Sequence, residues 1–307
     1  MLHQAAFLPQ AEALPLLRGA LHCHTTRSDG CKTPAETLKF YAGLGYDFAA
    51  ITDHDCYNFR NDAPQTGMLV LPGVEIEGKL QGDLPYHVFH VLGIGRGYEK
   101  GVTYEQDQHI TPGKVADQHA FIPYVRDLQG HGNLTVYCHP QWSATPAREF
   151  EAIPGNFAME IWNTSCYVEN DMDTNACYWD ELLAQGKRIF GVATDDAHVD
   201  AHYNLGWVMV RARKEPGAVL DALRAGAFYS SCGPEIYDFY VDEGRAYICC
   251  SPCGSICFVY DRTPSYQAVG DGLREAGDRL PPGITYVRGV CKDSRERRAW
   301  TNPIFLP

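Results

Sequence analysis

The chain has 307 residues, with 26 Lys and Arg against 38 Asp and Glu, so its formal net charge is −12 with neutral histidines. A hydrophobic fraction of 45% and a charged fraction of 21% are typical of a globular protein and argue against a disordered or fibrous chain. The acidic balance argues against a long nucleic-acid partner, which would need a stripe of Lys and Arg. No apolar run approaches the ~20 residues of a membrane helix. The first residues lack the pattern of an export signal, so we expect a cytoplasmic protein with no membrane partner.

Strand-like and helix-like segments alternate through most of the chain. GALHCHTT predicts a strand, and the next helix begins with Thr33 as N-cap, Pro34 at the first position and Glu36 completing a capping box. Further strands are predicted at DFAAIT, MLVLPGVEIE, HVFHVLGIG, LTVYCHP, FAMEIWN, RIFGVATDD and GWVMVRA, with helices after Thr111, near Arg148, around Tyr178–Gln185 and at PGAVLDALRAGA. This alternation predicts an α/β fold with a parallel sheet or barrel rather than a sandwich.

After about Gly233 the pattern changes to β-rich runs separated by Gly, Pro and Asp. We therefore expect one domain over residues 1–233 and a small β-rich domain over residues 234–307 that packs directly onto it. The smaller domain contains a cysteine-rich stretch with Cys249, Cys250, Cys253 and Cys257, which predicts two short strands around a Ser-Pro/Gly turn. These cysteines could bind zinc or an iron–sulfur cluster. They lack a second spaced pair, so buried structural thiols are favoured.

Histidines and carboxylates recur at or near the ends of five predicted strands, and two further histidines lie within a sixth. The candidates are His22, His24, Asp29, His54, Glu75, His87, His90, His139, Asp196 and His198. Any one histidine alone would more often be a hydrogen-bonded structural residue, but their repeated position matches the edge at which α/β barrels assemble active sites. Imidazole and carboxylate together suit zinc, manganese or iron. The candidates outnumber the four ligands of a closed zinc site, which implies more than one metal ion.

Six motifs, LHCHTTRSDG, ITDHD, GVEIE, HVLGIG, YCHP and TDDAH, occur in this order between residues 19 and 198. Together they resemble the successive motifs of the PHP (polymerase and histidinol phosphatase) metallohydrolase superfamily. The match is most similar to its stand-alone phosphoesterase branch and to the group of carbaryl-hydrolase-like metallohydrolases, which the chain terminus RRAWTNPIFL also resembles. The resemblance implies a distorted (β/α)7 barrel of TIM-like type, here with a small C-terminal all-β domain. It also implies two or three divalent metal ions, either Zn, Mn or Fe.

The resemblance further implies which residues hold each ion. The first ion would be surrounded by His22, His24, Glu75 and Asp196. Glu75 would bridge to a second ion, which is also held by His90 and His139. A third ion would be held by Asp29, His54 and His198. His90 directly precedes VLGIG, as the motif requires, so it is favoured over His87. The D-x-H spacing selects Asp196 and leaves Asp195 as an outer partner. Asp53 and Asp55 flank His54 and are expected to orient or cap neighbouring groups.

Neighbouring metal ions lower the pKa of a shared water and polarise the oxygens of an ester. Ser165 and Ser230 lack a nucleophile-elbow sequence, so no serine nucleophile is predicted. We therefore predict a phosphoesterase that hydrolyses a small phosphomonoester or short nucleotide through a metal-activated hydroxide. Its catalytic residues would be Asp29, His54, Glu75 and His198.

Two alternatives stay open at this point: a metal-dependent carboxylic or carbamate ester hydrolase, and a non-catalytic module that binds sugar or peptide. Cations that could clamp a phosphate are scarce. Arg27, Lys32 and Arg148 follow ligand-bearing strands, but solvated surface positions are favoured for each. Trp142 follows His139 and is either a lid or stacking platform or a packing residue.

Overall fold

The computed structural model describes residues 1–8, 13–82, 87–172, 174–261 and 266–307. Within these ranges the α-helices are α1 (Pro34–Gly43), α2 (Gln118–Gly130), α3 (Ala147–Phe150), α4 (Thr164–Asn170), α5 (Ala176–Ala184) and α6 (Pro216–Arg224). The strands are β1 (Leu2–His3), β2 (Leu16–Ala20), β3 (Phe48–Ala50), β4 (Leu69–Leu71), β5 (Gly73–Leu80), β6 (Val88–Ile94), β7 (Gly113–Val115), β8 (Leu134–Tyr137), β9 (Asn156–Asn163), β10 (Phe190–Thr194), β11 (Trp207–Arg211), β12 (Phe228–Ser231), β13 (Ile236–Asp242), β14 (Arg245–Val259), β15 (Tyr266–Arg279), β16 (Tyr286–Lys292), β17 (Arg298–Thr301) and β18 (Ile304–Phe305).

Local sequence signals set the start of α1 as predicted. Thr33 Oγ1 accepts a hydrogen bond from Glu36 N at 3.3 Å, and Glu36 Oε2 accepts one from Thr33 N at 2.9 Å. This reciprocal pair is a capping box, which satisfies two backbone N–H groups that lack partners inside the helix. Pro34 occupies the first position, where its missing N–H costs no helical hydrogen bond.

The described strands form two sheets. The larger has the order β1-β13-β14-β16-β17-β12-β11-β2-β3-β4, with β15 paired to β14 and β18 to β16; the smaller has the order β10-β9-β8-β6-β5-β7. Isolated bridges between Cys23 and Ala197 and between His54 and Glu75 connect them. The mixed α/β character is therefore confirmed, but in the described ranges the strands form two sheets rather than one closed ring.

Strand β6 departs from the expected parallel arrangement. It runs antiparallel to both β5 and β8, whereas β8, β9 and β10 are parallel neighbours. Only seven residues separate Leu80 from Val88. A parallel crossover needs a dozen residues or more, so a short connection forces an antiparallel pair. The prediction of a parallel sheet or barrel is therefore wrong for the pairing of this strand.

The C-terminal strands are longer than the sequence pattern predicts. The cysteine-rich stretch is not two short strands around a turn, because the single strand β14 runs through it, with register shifts on both sides of Cys253. A bulge accommodates the Ser-Pro segment without ending the strand. β17 pairs with β12, and β1 pairs with β13, so these strands continue the larger sheet. A domain division after residue 233 stays a prediction.

Both faces of the smaller sheet are buried. Val91 and Tyr137 pack with Phe121 of α2 and Trp179 of α5 on one face. The alternate residues of the same strands, such as Leu92, pack toward the larger sheet. Since both faces are covered, a polar side chain on these strands has to find a partner inside the protein. Among the described helices, none is long and apolar enough to cross a lipid bilayer.

Candidate metal centre

The fold brings all nine predicted ligands to one end of the two sheets. Most follow the last residue of a strand: His22 and His24 come after β2, His54 after β3, His139 after β8, and Asp196 and His198 after β10. Glu75 and His90 instead lie within the antiparallel pair β5 and β6. Asp29 belongs to the turn that follows His24. The placement of these side chains is observed, and their roles as ligands stay a prediction.

The backbone at two of these positions is in the left-handed region. His139 has φ 22° and Asp196 has φ 48°. Residues with a Cβ seldom adopt such angles, and structures retain them at sites where function requires a particular side-chain direction. Both residues lie two positions after the last residue of a strand, β8 and β10 respectively, and both are buried.

The first group consists of four nearly equidistant donor atoms. His22 Nε2 and His24 Nε2 are 3.1 Å apart, and each lies 3.1 Å from Asp196 Oδ1. Their distances to Glu75 Oε2 are 3.3 and 3.2 Å. A cation with tetrahedral ligands at about 2.0–2.1 Å separates those ligands by about 3.3–3.4 Å. Five of the six edges are thus close to the edges of a zinc-sized tetrahedron.

Several donor atoms of this cluster are buried without a hydrogen bond. Glu75 Oε2, Asp196 Oδ1 and His54 Nδ1 have no hydrogen-bond partner among the described residues. Glu75 and Asp196 are only 1% and 6% exposed. Imidazole nitrogens lie 3.1–3.3 Å from the two carboxylate oxygens without a hydrogen bond, and a cation held between these atoms would satisfy both kinds of donor. The residues present therefore fit divalent metal ions with nitrogen and oxygen ligands.

Glu75 joins the first group to a second. Its other oxygen, Oε1, lies 3.0 Å from His90 Nδ1 and 3.4 Å from His139 Nε2. His87, the alternative to His90, contacts Glu149 at 2.8 Å instead and does not line the cavity. The geometry thus places His90, and not His87, in the cluster.

Asp29 lies at the open side, where a third group forms. Asp29 Oδ1 is 3.4 Å from His198 Nε2, and Asp29 Oδ2 is 3.7 Å from His54 Nε2. The opposite ring nitrogen of His54, Nδ1, is 3.2 Å from Glu75 Oε2. The Asp29 side chain is 55% exposed, so this group faces solvent more than the others.

The carboxylates control the protonation of the histidines in the metal-free chain. Burial would lower the pKa of His24, but Asp196 and Glu75 outweigh burial and raise this pKa to about 9. The pKa of His90 is likewise raised to about 10, because Glu75 outweighs burial there. Burial prevails at His54 and lowers its pKa to about 4. A proton therefore competes with a metal ion at His24 and His90.

Two carboxylates of the site were missed by the sequence analysis. Glu160 of β9 is completely buried, and its Oε1 lies 2.7 Å from His22 Nδ1. Its Oε2 accepts a hydrogen bond from His139 N at 3.0 Å. Glu77 lies 3.2 Å from His90 Nε2. The signal for Glu160 was present in the sequence, since a carboxylate inside the apolar strand FAMEIWN has to be paired.

Replacing Glu160 by Gln is expected to weaken metal binding. The carboxylate fixes the ring of His22 through Nδ1, and loss of such outer partners typically costs about 10- to 100-fold in metal affinity or activity. Titration of the metal-free variant with a zinc indicator measures the affinity. Glu149→Gln is the matched control, because Glu149 contacts His87 outside the cluster. Unchanged affinity in the Glu160 variant would contradict this role.

The other acidic candidates support the surrounding loops. Asp53 Oδ1 accepts a hydrogen bond from Thr25 N at 2.6 Å, and Asp53 Oδ2 accepts one from Thr25 Oγ1 at 2.8 Å. Asp55 Oδ1 accepts a hydrogen bond from Glu77 N at 3.1 Å. Asp195 accepts three from the backbone N–H groups of residues 204–206, at 2.8–2.9 Å. Asp53 and Asp55 thus bind neighbouring loop groups, as expected, whereas Asp195 binds the backbone of residues 204–206, and its role as an outer partner of the ligands stays a prediction.

The cluster opens into a cavity of about 260 Å³. Seven of the nine predicted ligands, all except the fully buried His22 and His24, line the cavity together with Trp142, Ser165, Cys166 and Glu169. The Trp142 ring meets the His139 ring edge to face, with centroids 5.1 Å apart. No Lys or Arg is among the described lining residues.

The cations considered from the sequence pair with carboxylates elsewhere or lie on the surface. Arg27 contacts Asp62 at 3.4 Å, Lys32 pairs with Asp200, and Arg148 is exposed. Ser230 Oγ donates a hydrogen bond to Gly191 O at 2.8 Å and does not line the cavity.

Comparison with known proteins finds similarity to solved structures but no match in sequence. No family model matches the chain, and no curated protein matches it significantly. A two-domain protein from Bacteroides vulgatus, described as containing a predicted PHP-like metal-dependent phosphoesterase, is similar at a TM-score of 0.51 and 12% identity, over 95% of this chain and 96% of that one.

Two further structures are similar over part of this chain. A presumed metal-dependent phosphoesterase from Bifidobacterium adolescentis has a TM-score of 0.43 and 17% identity, over 61% of this chain and 90% of its own. An amidohydrolase from Chromobacterium violaceum, solved with sulfate and no metal, has a TM-score of 0.42 and 19% identity, over 59% of this chain and 88% of its own. The chain thus shares the fold of the two-domain protein from Bacteroides vulgatus.

Proposed function

We propose that the protein is a metal-dependent phosphoesterase that hydrolyses a small phosphomonoester or a short nucleotide. One observation carries the proposal: among the donor atoms of His22, His24, Glu75 and Asp196, five separations of 3.1–3.3 Å are close to the edges of a zinc-sized tetrahedron. A second set of donors shares Glu75 with the first. Adjacent cation sites in one cavity are the arrangement used for hydrolysis of phosphate esters.

The ligand sets follow the groups that the distances define. His22, His24, Glu75 and Asp196 would hold one ion, Glu75, His90 and His139 a second, and Asp29, His54 and His198 a third. When bound, ions of this kind polarise the ester oxygens and lower the pKa of water. Zinc, manganese and iron all suit these donors. We further propose that the two sheets together correspond to a distorted (β/α)7 barrel.

The charge of the cavity argues for an anionic substrate that binds only after the cations. Asp29, Glu75, Glu169 and Asp196 line the cavity, and no lining residue in the described part of the chain is Lys or Arg. Without metal these carboxylates would repel a phosphate group. Ions held by these carboxylates and by the neighbouring histidines would reverse the local charge and would attract a phosphate group.

The chain's own residues then set the reaction geometry. Glu75 contacts both deeper groups, and Asp29, His54 and His198 lie on the open side where substrate enters, so we assign these four residues the catalytic positions. The cavity volume of about 260 Å³ lies just below the range of typical ligand sites, which favours a small substrate.

The test is a substrate panel with protein loaded separately with zinc, manganese or iron. We expect phosphate release from p-nitrophenyl phosphate or nucleoside monophosphates, and its loss after treatment with a chelator. Aryl carbamates and carboxylic esters form the second arm. Hydrolysis of a carbamate without any phosphate release would show a carbamate esterase and not a phosphoesterase. Binding of sugar or peptide without turnover would contradict an enzymatic function.

Metal loading at pH 7 is expected to release protons. In the metal-free chain the pKa values of His24 and His90 are raised to about 9 and about 10, so both rings are protonated at neutral pH. A ligating imidazole has to be neutral, so metal affinity should rise with pH and proton release should vanish above about pH 10. Because protons compete with the metal ion below these pKa values, activity should decline as the pH is lowered and should be lost below about pH 6.

A pH indicator in weak buffer measures the protons released on zinc addition. His90→Gln should release about one proton fewer per chain, because one protonated ligand has been removed. His87→Gln is the control, since His87 lies outside the cluster. Zinc binding without proton release, or equal release in both variants, would argue against these ligands.

A further inference from the structure

Three buried thiols converge in the C-terminal strands, away from the cavity. Cys250 and Cys253 lie on β14 and Cys291 lies on the neighbouring strand β16. Their exposed fractions are 1%, 2% and 0%. The three Sγ atoms all lie within 4.8 Å of one another, and those of Cys250 and Cys253 are 3.8 Å apart.

A bulge in β14 brings Cys253 to the same side as Cys250. Side chains alternate between the two faces of a regular strand, so residues three apart point in opposite directions. Here Cys250 is buried, Pro252 is exposed and Cys253 is buried again. The register between β14 and β15 shifts on both sides of Cys253. Four residue steps on β14, from Cys249 to Cys253, oppose only two on β15, and this irregularity accompanies the inward direction of the Cys253 thiol.

The remaining cysteines of this stretch do not take part. Cys249 and Cys257 are only partly buried and do not belong to the three-thiol group. The three thiols instead lie in an apolar core with residues such as Ile236 and Ile256. Packing of an apolar core does not require a bulge that brings sulfur atoms together. Binding of one ion by three thiols does require it.

We propose that Cys250, Cys253 and Cys291 bind a structural Zn²⁺ ion, separate from the metal ions of the cavity. Zinc–sulfur bonds of about 2.3 Å in a tetrahedron place sulfur atoms about 3.8 Å apart, as found for Cys250 and Cys253. The carbonyl oxygen of Leu273 lies 4.0 Å from Cys250 Sγ and would have to move closer to act as a fourth ligand.

The charge of the site favours zinc over monovalent copper. Three thiolates and Zn²⁺ carry a net charge of about −1, whereas the same thiolates with Cu⁺ carry about −2, and burial in an apolar core penalises the larger charge. The ion would link β14 to β16 by coordination in addition to their backbone hydrogen bonds. This site does not depend on the proposed phosphoesterase activity.

X-ray absorption of the full, reduced, zinc-loaded chain tests the proposal without any substitution. We expect a zinc–sulfur shell at about 2.3 Å together with nitrogen and oxygen shells from the cavity. Cys253→Ser and Cys291→Ser should each lose the sulfur shell and about one equivalent of zinc. Cys249→Ser, a substitution on the same strand, should keep both the sulfur shell and the zinc. Cys166→Ser tests whether the cysteine that lines the cavity contributes to the sulfur shell.

Circular dichroism shows whether each variant is folded. If a variant is not folded, the X-ray absorption spectrum of the unaltered chain alone tests the proposal. A spectrum with no sulfur shell in the unaltered chain would overturn the proposal. So would a sulfur shell that persists in both Cys253→Ser and Cys291→Ser, or binding of Cu⁺ in the absence of any zinc–sulfur coordination.

Discussion

Replacing Glu75 by Gln is expected to abolish turnover and to weaken metal binding in both deeper groups. Glu75 Oε2 faces His22 and His24, and Oε1 faces His90 and His139, so the neutral amide loses a shared anionic ligand. Loss of an outer partner typically costs about 10- to 100-fold, and loss of a direct shared ligand should exceed that range. Metal analysis after gel filtration and phosphate release measure the two effects.

Glu77→Gln is the matched control for this change. Glu77 lies two residues further along β5, contacts His90 Nε2 at 3.2 Å and also pairs with Lys79. Its loss should reduce affinity by no more than about 100-fold, since it orients one ring and bridges nothing. Equal losses in the two variants would show that negative charge in the region, and not the shared ligand, is what matters.

The adjacent residues Asp195 and Asp196 are expected to separate stability from metal binding. Asp196→Asn removes a ligand from the first group and should leave a folded protein with little bound metal and no turnover. Asp195→Asn leaves the ligands in place but sets an amide N–H against backbone donors of residues 204–206. That mismatch of buried donors should lower the free energy of unfolding by about 1–3 kcal/mol.

Urea unfolding and zinc stoichiometry, measured on both variants, give the two readouts. We expect opposite results for the two variants. Asp195→Asn should unfold at a lower urea concentration and retain its metal. Asp196→Asn should lose its metal and keep the urea midpoint of the metal-free parent chain. A large loss of metal in Asp195→Asn without loss of stability would reverse the assignment made from the D-x-H spacing.

Much of the site was predictable because its residues stand in recognisable local sequence patterns. A histidine that ends an apolar strand, as His139 does in VYCHP, is unusual on its own, and the same feature recurs along the chain. The capping box at Thr33 was predictable for the same reason, since both of its partners lie within one turn. Signals of this kind need no knowledge of the tertiary fold.

Other features depend on partners distant in sequence and could not be predicted. Glu160 binds His22 across 138 positions, and nothing within FAMEIWN specifies that partner. The bulge at Cys253 follows from pairing with two neighbouring strands, and local turn residues such as Pro252 suggested a turn instead. The antiparallel direction of β6 follows from connection length and from pairing with β8. Long-range pairing overrides local propensity in each case.

The hydrogen bonds between β12 and β17 have a consequence for any shortened form of the protein. Removal of residues 234–307 would strip β17 from β12 and leave the backbone N–H and C=O groups on that side of β12 without partners. It would also remove Asn302, whose side chain donates to Phe228 O and accepts from Gly191 N. Bare edges of this kind template association with other chains. The N-terminal part expressed alone should therefore aggregate, even though it carries every residue of the metal-binding cavity.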